Sequence, residues 1–185
     1  MDSYELWGWC LFYVLIAAAA VHLCYYLFLF TRLAFYKKGD RVNNNQSVSV
    51  IICAKNEVRN LRRFLPIVLE QVFPDYEVIV VNDCSWDETE SYLEELKLQY
   101  PHLVVSTIRE QDKYRHGKKF ALTLGIKAAK NEILLLTDAD CMPAGKNWLS
   151  TMLSAYNNET EIVLGYGAYI KEKSLLNALI RFDTM

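Results

Sequence analysis

Glu132-Ile133-Leu134-Leu135-Leu136-Thr137-Asp138-Ala139-Asp140 is the stretch on which the reading of the fold turns. Its apolar run is too short to cross a membrane and is bounded by polar residues. That pattern predicts a strand buried on both faces, as in the middle of a parallel sheet. Where the run stops, two carboxylates stand one residue apart. Their mutual repulsion is relieved by a hard divalent cation with oxygen ligands. A solvated turn at a strand end, where Asp is common, reads equally well on this stretch alone.

Working outward, similar punctuation recurs upstream. Val48-Ser49-Val50-Ile51-Ile52-Cys53 reads as a buried strand followed by Ala54-Lys55-Asn56-Glu57. Leu61, Phe64, Leu65, Val68 and Leu69 then recur at helical spacing until Pro74-Asp75. Glu77–Val81 is a second strand, and Asn82-Asp83-Cys84-Ser85-Trp86-Asp87-Glu88-Thr89 leads into a helix that ends by Pro101. Leu103–Ser106 is a short third strand, followed by a basic loop over Lys113–Lys119 and a helix over Phe120–Lys130. After the quoted strand the pattern predicts a helix over Trp148–Tyr156, a fifth strand over Ile162–Ile170 and an amphipathic helix over Ser174–Asp183. Strands alternating with helices imply parallel βαβ units in a doubly wound sheet. In such sheets ligands bind beyond the carboxyl ends of the strands. Three polar clusters, 54–57, 82–87 and 138–140, fall at those ends.

Before this domain, Leu6–Thr31 carries no formal charge over 26 residues. As a helix it would run roughly 39 Å, enough for a hydrocarbon core of about 30 Å. Asp2 and Glu5 precede it, whereas Arg32, Lys37, Lys38 and Arg41 follow. The positive-inside rule then puts the N-terminus outside and the remainder in the cytoplasm, as a single-pass membrane protein. A cleaved signal peptide would want a basic leading region and an apolar core of about 7–15 residues. The expected division is an anchor over 1–36, a polar linker over 37–47 and a folded domain over 48–185 that is incomplete at its C-terminus.

Composition removes other classes. A net charge of −2 argues against a nucleic-acid-binding protein. The five cysteines contain no Cys-x-x-Cys pair and form neither a disulfide framework nor a zinc pattern. Cys53, Cys84 and Cys141, each near a strand end, read as small buried fillers, and Trp86 and Trp148 as packing residues. The turn after the first strand has no glycine, and no Gly-x-x-x-x-Gly-Lys-Ser/Thr occurs, so glycine-rich phosphate loops are excluded there.

The segments 48–57, 80–89 and Thr137-Asp138-Ala139-Asp140 resemble, in order, the signatures of family 2 glycosyltransferases. Gly117-Lys118-Lys119-Phe120-Ala121-Leu122 is similar to the same family's Gly-Lys-x-x-Ala-Leu segment. The resemblance spans roughly residues 48 to 170. It implies a GT-A fold, a Rossmann-like, mostly parallel α/β sheet with helices on both faces, here preceded by one transmembrane helix. It also implies inverting transfer of a sugar from a nucleotide sugar, with UDP the expected nucleotide, to a glycan, lipid or small-molecule acceptor. By position, Ala54, Glu57 and Asp83 would contact the nucleobase and its neighbourhood, and Lys118 the base or diphosphate. Asp138 would hold ribose or metal, and Asp140 would ligate Mg²⁺ or Mn²⁺. Asn82 stands where many relatives have an acid. The family's general base lies in a later carboxylate segment, so it is expected beyond Met185. Read without that base, the alternative is a non-catalytic nucleotide-sugar-binding or scaffold module.

Overall fold

The computed structural model describes residues 3–35, 46–109, 117–157 and 159–184. Contacts divide the chain into two units, Met1–Asp40 and Arg41–Met185. The first is one helix, α1 (Ser3–Ala34). Within it Trp7–Arg32 is long and apolar enough to cross a membrane, with a mean hydropathy of 2.0. The Lys113–His116 part of the basic loop lies outside the described residues.

The second unit runs β1 (Val48–Ala54), α2 (Val58–Leu69), β2 (Tyr76–Asp83), α3 (Thr89–Gln99), β3 (Leu103–Ile108), α4 (Lys118–Ala128), β4 (Ile133–Asp138), α5 (Trp148–Leu153) and α6 (Leu175–Asp183). Four parallel strands form one sheet in the order β3-β2-β1-β4. Alternate residues of β1 face opposite ways, and each face has its own core. Val48, Val50 and Ile52 pack with Leu61, Leu65 and Val68 of α2, Leu93 and Leu96 of α3, and Leu149 and Leu153 of α5. Ile51 packs with Ile79, Val81 and Ala121 on the α4 side. Helices therefore cover both faces, as the βαβ pattern predicts.

Contact between α4 and the sheet is close at Gly125. A Cβ built there would stand 2.5 Å from Ile51 Cγ2 and 3.2 Å from Val81 Cγ2. At the amino ends of the strands, Ser49 Oγ donates to Glu77 Oε1 at 2.7 Å, as does the Lys130 amide at 2.7 Å, while the Asn131 amide donates to Ser49 Oγ at 3.2 Å. This buried cluster joins β1, β2 and the approach to β4.

Two expectations need correction. β4 is not buried on both faces in mid-sheet; it is the edge strand among the described residues, with Leu135 buried and Leu136 54% exposed. It pairs with β1 on one side, and no described strand covers the other. Nor do residues 162–170 form a strand. They find no ladder partner among the described residues, two glycines interrupt the apolar pattern, and Ile162 and Leu164 are largely exposed. The predicted C-terminal helix is present as α6, capped by Ser174 Oγ accepting from the Asn177 amide, but none of its residues is buried.

Candidate donor and metal site

The strand order reverses between β1 and β4: the chain steps outward from β1 to β2 to β3, then returns to pair β4 against β1. That reversal opens a crevice beyond the carboxyl ends of β1 and β4. In register, Cys53 pairs with Asp138 and Ala54 with Asn82, so the three predicted clusters meet on one edge.

The β1–α2 and β2–α3 loops are tied together. The Asn56 amide donates to Ser85 Oγ at 2.9 Å, and the Trp86 amide donates to Asn56 Oδ1 at 2.9 Å. Asp87 accepts from the Val58 amide at 3.3 Å and from the Thr89 amide at 3.1 Å. Burial pushes the Asp87 carboxyl up, but hydrogen bonds from Thr89 and from the Val58 backbone more than offset it and hold the pKa below its ordinary value. Asn56 and Cys84 take positive φ, 56° and 53°, to make these turns; Asn is among the residues that tolerate this region best.

Of the residues expected to meet the donor, Glu57 is half-buried at the start of α2 and accepts from Asn60 Nδ2 at 2.7 Å. Asp83 is 7% exposed at the end of β2. Ala54 lies in the core, 1% exposed, beneath the edge rather than on it. Lys118 is the first residue of α4, after Gly117, whose φ of 132° favours glycine. From there its ammonium reaches Asp138 Oδ1. The Asp138 hydrogen bond raises the Lys118 pKa above its ordinary value, outweighing desolvation, so the group is a fixed cation at neutral pH.

At the opening stretch, Ala139 is buried in the core while Asp138, Asp140 and Cys141 are exposed. The Cys141 amide donates to the Asp138 carbonyl at 3.2 Å, closing the turn. One donor atom from each of Asp138, Asp140 and Cys141 lies within 4.8 Å of the others, the one such metal-capable group among the described residues. Two carboxylates on a turn anchored by a buried alanine fit a divalent cation.

Three sequence readings change here. Cys141 is exposed and is not a core filler. Cys53 and Cys84 are half-buried, and burial raises the Cys53 thiol above its ordinary pKa. Trp86 is 84% exposed, whereas Trp148 does pack against the core. Neither the loop-to-loop ties nor the position of Cys141 was foreseen. The Asn-x-x-x and Asp-x-Thr turn chemistry was visible in sequence, but which loop each side chain would bond was not.

The family model described as "Glycosyl transferase family 2" matches residues 49–182. The chain belongs to glycosyl transferase family 2. A family 2 relative, glycosyltransferase AglE of Haloferax volcanii, is 34% identical over 109 residues, covering 58% of this chain and 34% of its own. Among solved structures, the mannosyltransferase PcManGT of Pyrobaculum calidifontis, in complex with GDP-Man and Mn²⁺, matches with a TM-score of 0.63 at 27% identity. That match covers 75% of this chain and 42% of PcManGT. S. aureus TarS 1-349 in complex with UDP-GlcNAc matches with a TM-score of 0.50 at 28% identity, over 60% of this chain and 32% of TarS 1-349. The GT-A fold expected from the motifs is thereby shown, and the chain spans about a third of the length of AglE.

Proposed function

We propose that this chain supplies the donor-binding part of a membrane-anchored glycosyltransferase, which transfers a sugar from a nucleotide sugar with inversion. The observation that carries the reading is the Asp138–Asp140 turn beside Lys118, at the reversal of strand order. Departure of a nucleoside diphosphate concentrates negative charge on its phosphates. A divalent cation, Mg²⁺ or Mn²⁺, would supply Lewis-acid neutralisation of that charge when bound. Asp140 and Asp138 hold it, and Lys118 adds a positive charge that turns from Asp138 to the diphosphate. Glu57 and Asp83, on the loops locked by Asn56, Ser85 and Asp87, bound the nucleoside end, with Ala54 as packing under it. The bound GDP-Man and UDP-GlcNAc of the two solved relatives support a nucleotide-sugar donor and leave the base open, with UDP the nucleotide we expect. The acceptor is a glycan, a lipid or a small molecule.

Residues 1–36 form the anchor, 37–47 the tether and 48–185 the donor domain. The flanking charges place the N-terminus outside and the domain in the cytoplasm, where nucleotide sugars are made soluble and anionic.

The test is calorimetric titration of the full chain in detergent with UDP, UDP-sugars and GDP-sugars, with and without Mn²⁺. Metal-dependent binding, lost in Asp140→Ala, is expected. Binding that ignores metal, or none at all, would sink the site. Binding without transfer by the whole protein, acceptors supplied, would favour the non-catalytic module instead.

A further inference from the structure

We propose that Cys141 Sγ is a third ligand to the divalent cation held by Asp138 and Asp140, which makes the site a mixed oxygen–sulfur one. The proposal rests on the donor-site reading above and adds a ligand to it.

The geometry comes from the turn. Ala139 is buried, so the residues on either side of it face the crevice, and the Cys141 amide bonded to the Asp138 carbonyl folds the next residue back over them. Cys141 Sγ stands 3.8 Å from an Asp140 carboxylate oxygen. Two ligands on one ion at a tetrahedral angle, with a metal–sulfur bond near 2.3 Å and a metal–oxygen bond near 2.1 Å, stand about 3.6 Å apart. The three donor atoms lie within 4.8 Å of one another. Gathering them onto one ion takes small rotations of exposed side chains, which no packing opposes. Cys53 and Cys84 are half-buried, and neither belongs to this group.

The consequence is selectivity. Carboxylates alone suit Mg²⁺ and Mn²⁺, whereas a thiolate favours softer ions such as Zn²⁺ and Cd²⁺ and gives Co²⁺ a sulfur-to-metal charge-transfer absorption. A chain with Cys141 should therefore rank soft cations above Mg²⁺ more strongly than two carboxylates would.

The experiment titrates the full chain in detergent with Co²⁺, Cd²⁺ and Mg²⁺, reading ultraviolet charge-transfer absorption and binding heat. A sulfur-to-cobalt band is expected in the wild type, in Cys53→Ser and in Cys84→Ser, and is expected to be lost in Cys141→Ser and Asp140→Asn. Cys141→Ser should weaken Cd²⁺ on the order of tenfold and leave Mg²⁺ within about twofold. Circular dichroism of each variant confirms that it is folded. An unchanged band or Cd²⁺ affinity in Cys141→Ser overturns the proposal. No band in the wild type, with Mn²⁺-dependent nucleotide binding intact, also overturns it while leaving the donor-site reading standing. Loss of all metal and nucleotide binding in the wild type defeats both.

Discussion

Lys118 Nζ lies 2.5 Å from Asp138 Oδ1, joining the first turn of α4 to the last residue of β4. A cation at a helix N-terminus is opposed by the helix dipole. The Asp138 carboxylate offsets that cost, so the ammonium occupies the place at which a metal would bind. Both side chains are more than half exposed, and the pair by itself contributes little to stability. Its weight is functional, which gives the first prediction. Replacing Lys118 by Met should leave the melting temperature nearly unchanged. It should tighten Mn²⁺ binding in the absence of nucleotide about two- to fivefold, because the competing cation is gone. UDP binding in the presence of Mn²⁺ should weaken by roughly tenfold, because a charged contact to phosphate is lost. Calorimetry of the two ligands separates the effects. Movement of both affinities in the same direction would refute the exchange.

Gly125 tests the seat of α4. In an exposed helix, Gly→Ala stabilises by up to about 1 kcal/mol. Here the added methyl meets Ile51 Cγ2 at 2.5 Å, a branched core methyl that has nowhere to rotate. Overpacking should win, and Gly125→Ala should destabilise by about 1–3 kcal/mol net in thermal unfolding.

Glu77 tests the buried cluster at the opposite end of the sheet. Removing its carboxylate strands the Ser49 hydroxyl and the Lys130 amide, both of which bond to Oε1. Glu77→Ala should cost about 2–4 kcal/mol, while Glu77→Gln, which keeps an acceptor oxygen, should cost less. Nucleotide affinity of the folded fraction should be unaffected, since the cluster lies at the amino ends of the strands.

Asp87 provides a pH signature. Its folded pKa is lowered, so its stabilising contribution is present above the unfolded value and is lost as pH falls through the folded one. The wild type should be more stable than Asp87→Asn by about 1 kcal/mol above pH 5, with the gap closing below roughly pH 4. Melting temperatures of the two proteins across that range check it. A gap that widens on acidification would contradict the assignment.

How far the chain could be read before folding differs from one feature to the next. The three buried strand cores, the helical spacing of α2 and the carboxylates at Asp138 and Asp140 are properties of local pattern. A run of apolar residues ending in a polar cluster says strand and strand end, whatever surrounds it. The uncharged Leu6–Thr31 run is equally local, since length and the absence of charge are all that a span requires. Burial was less legible. Leu136 and Leu135 look alike in sequence, yet β4 pairs on one side among the described residues and leaves Leu136 exposed. The Ile162–Ile170 stretch has the composition of a strand, but a strand exists only where a partner ladder meets it.

The sequence by itself determined the fold class, the family and which strand ends carry polar chemistry, because each follows from residues close together in the chain. Only the tertiary structure decided that β4 returns to lie against β1, which sets Cys53 beside Asp138 and brings Lys118 onto it. It also decided that Asn56 locks the Ser85–Trp86 loop and that Cys141 turns outward beside two carboxylates. These pairings span tens of residues, apart from the last, which depends on Ala139 being drawn into the core. Their partners are chosen by sheet order and packing, and no local pattern encodes that choice.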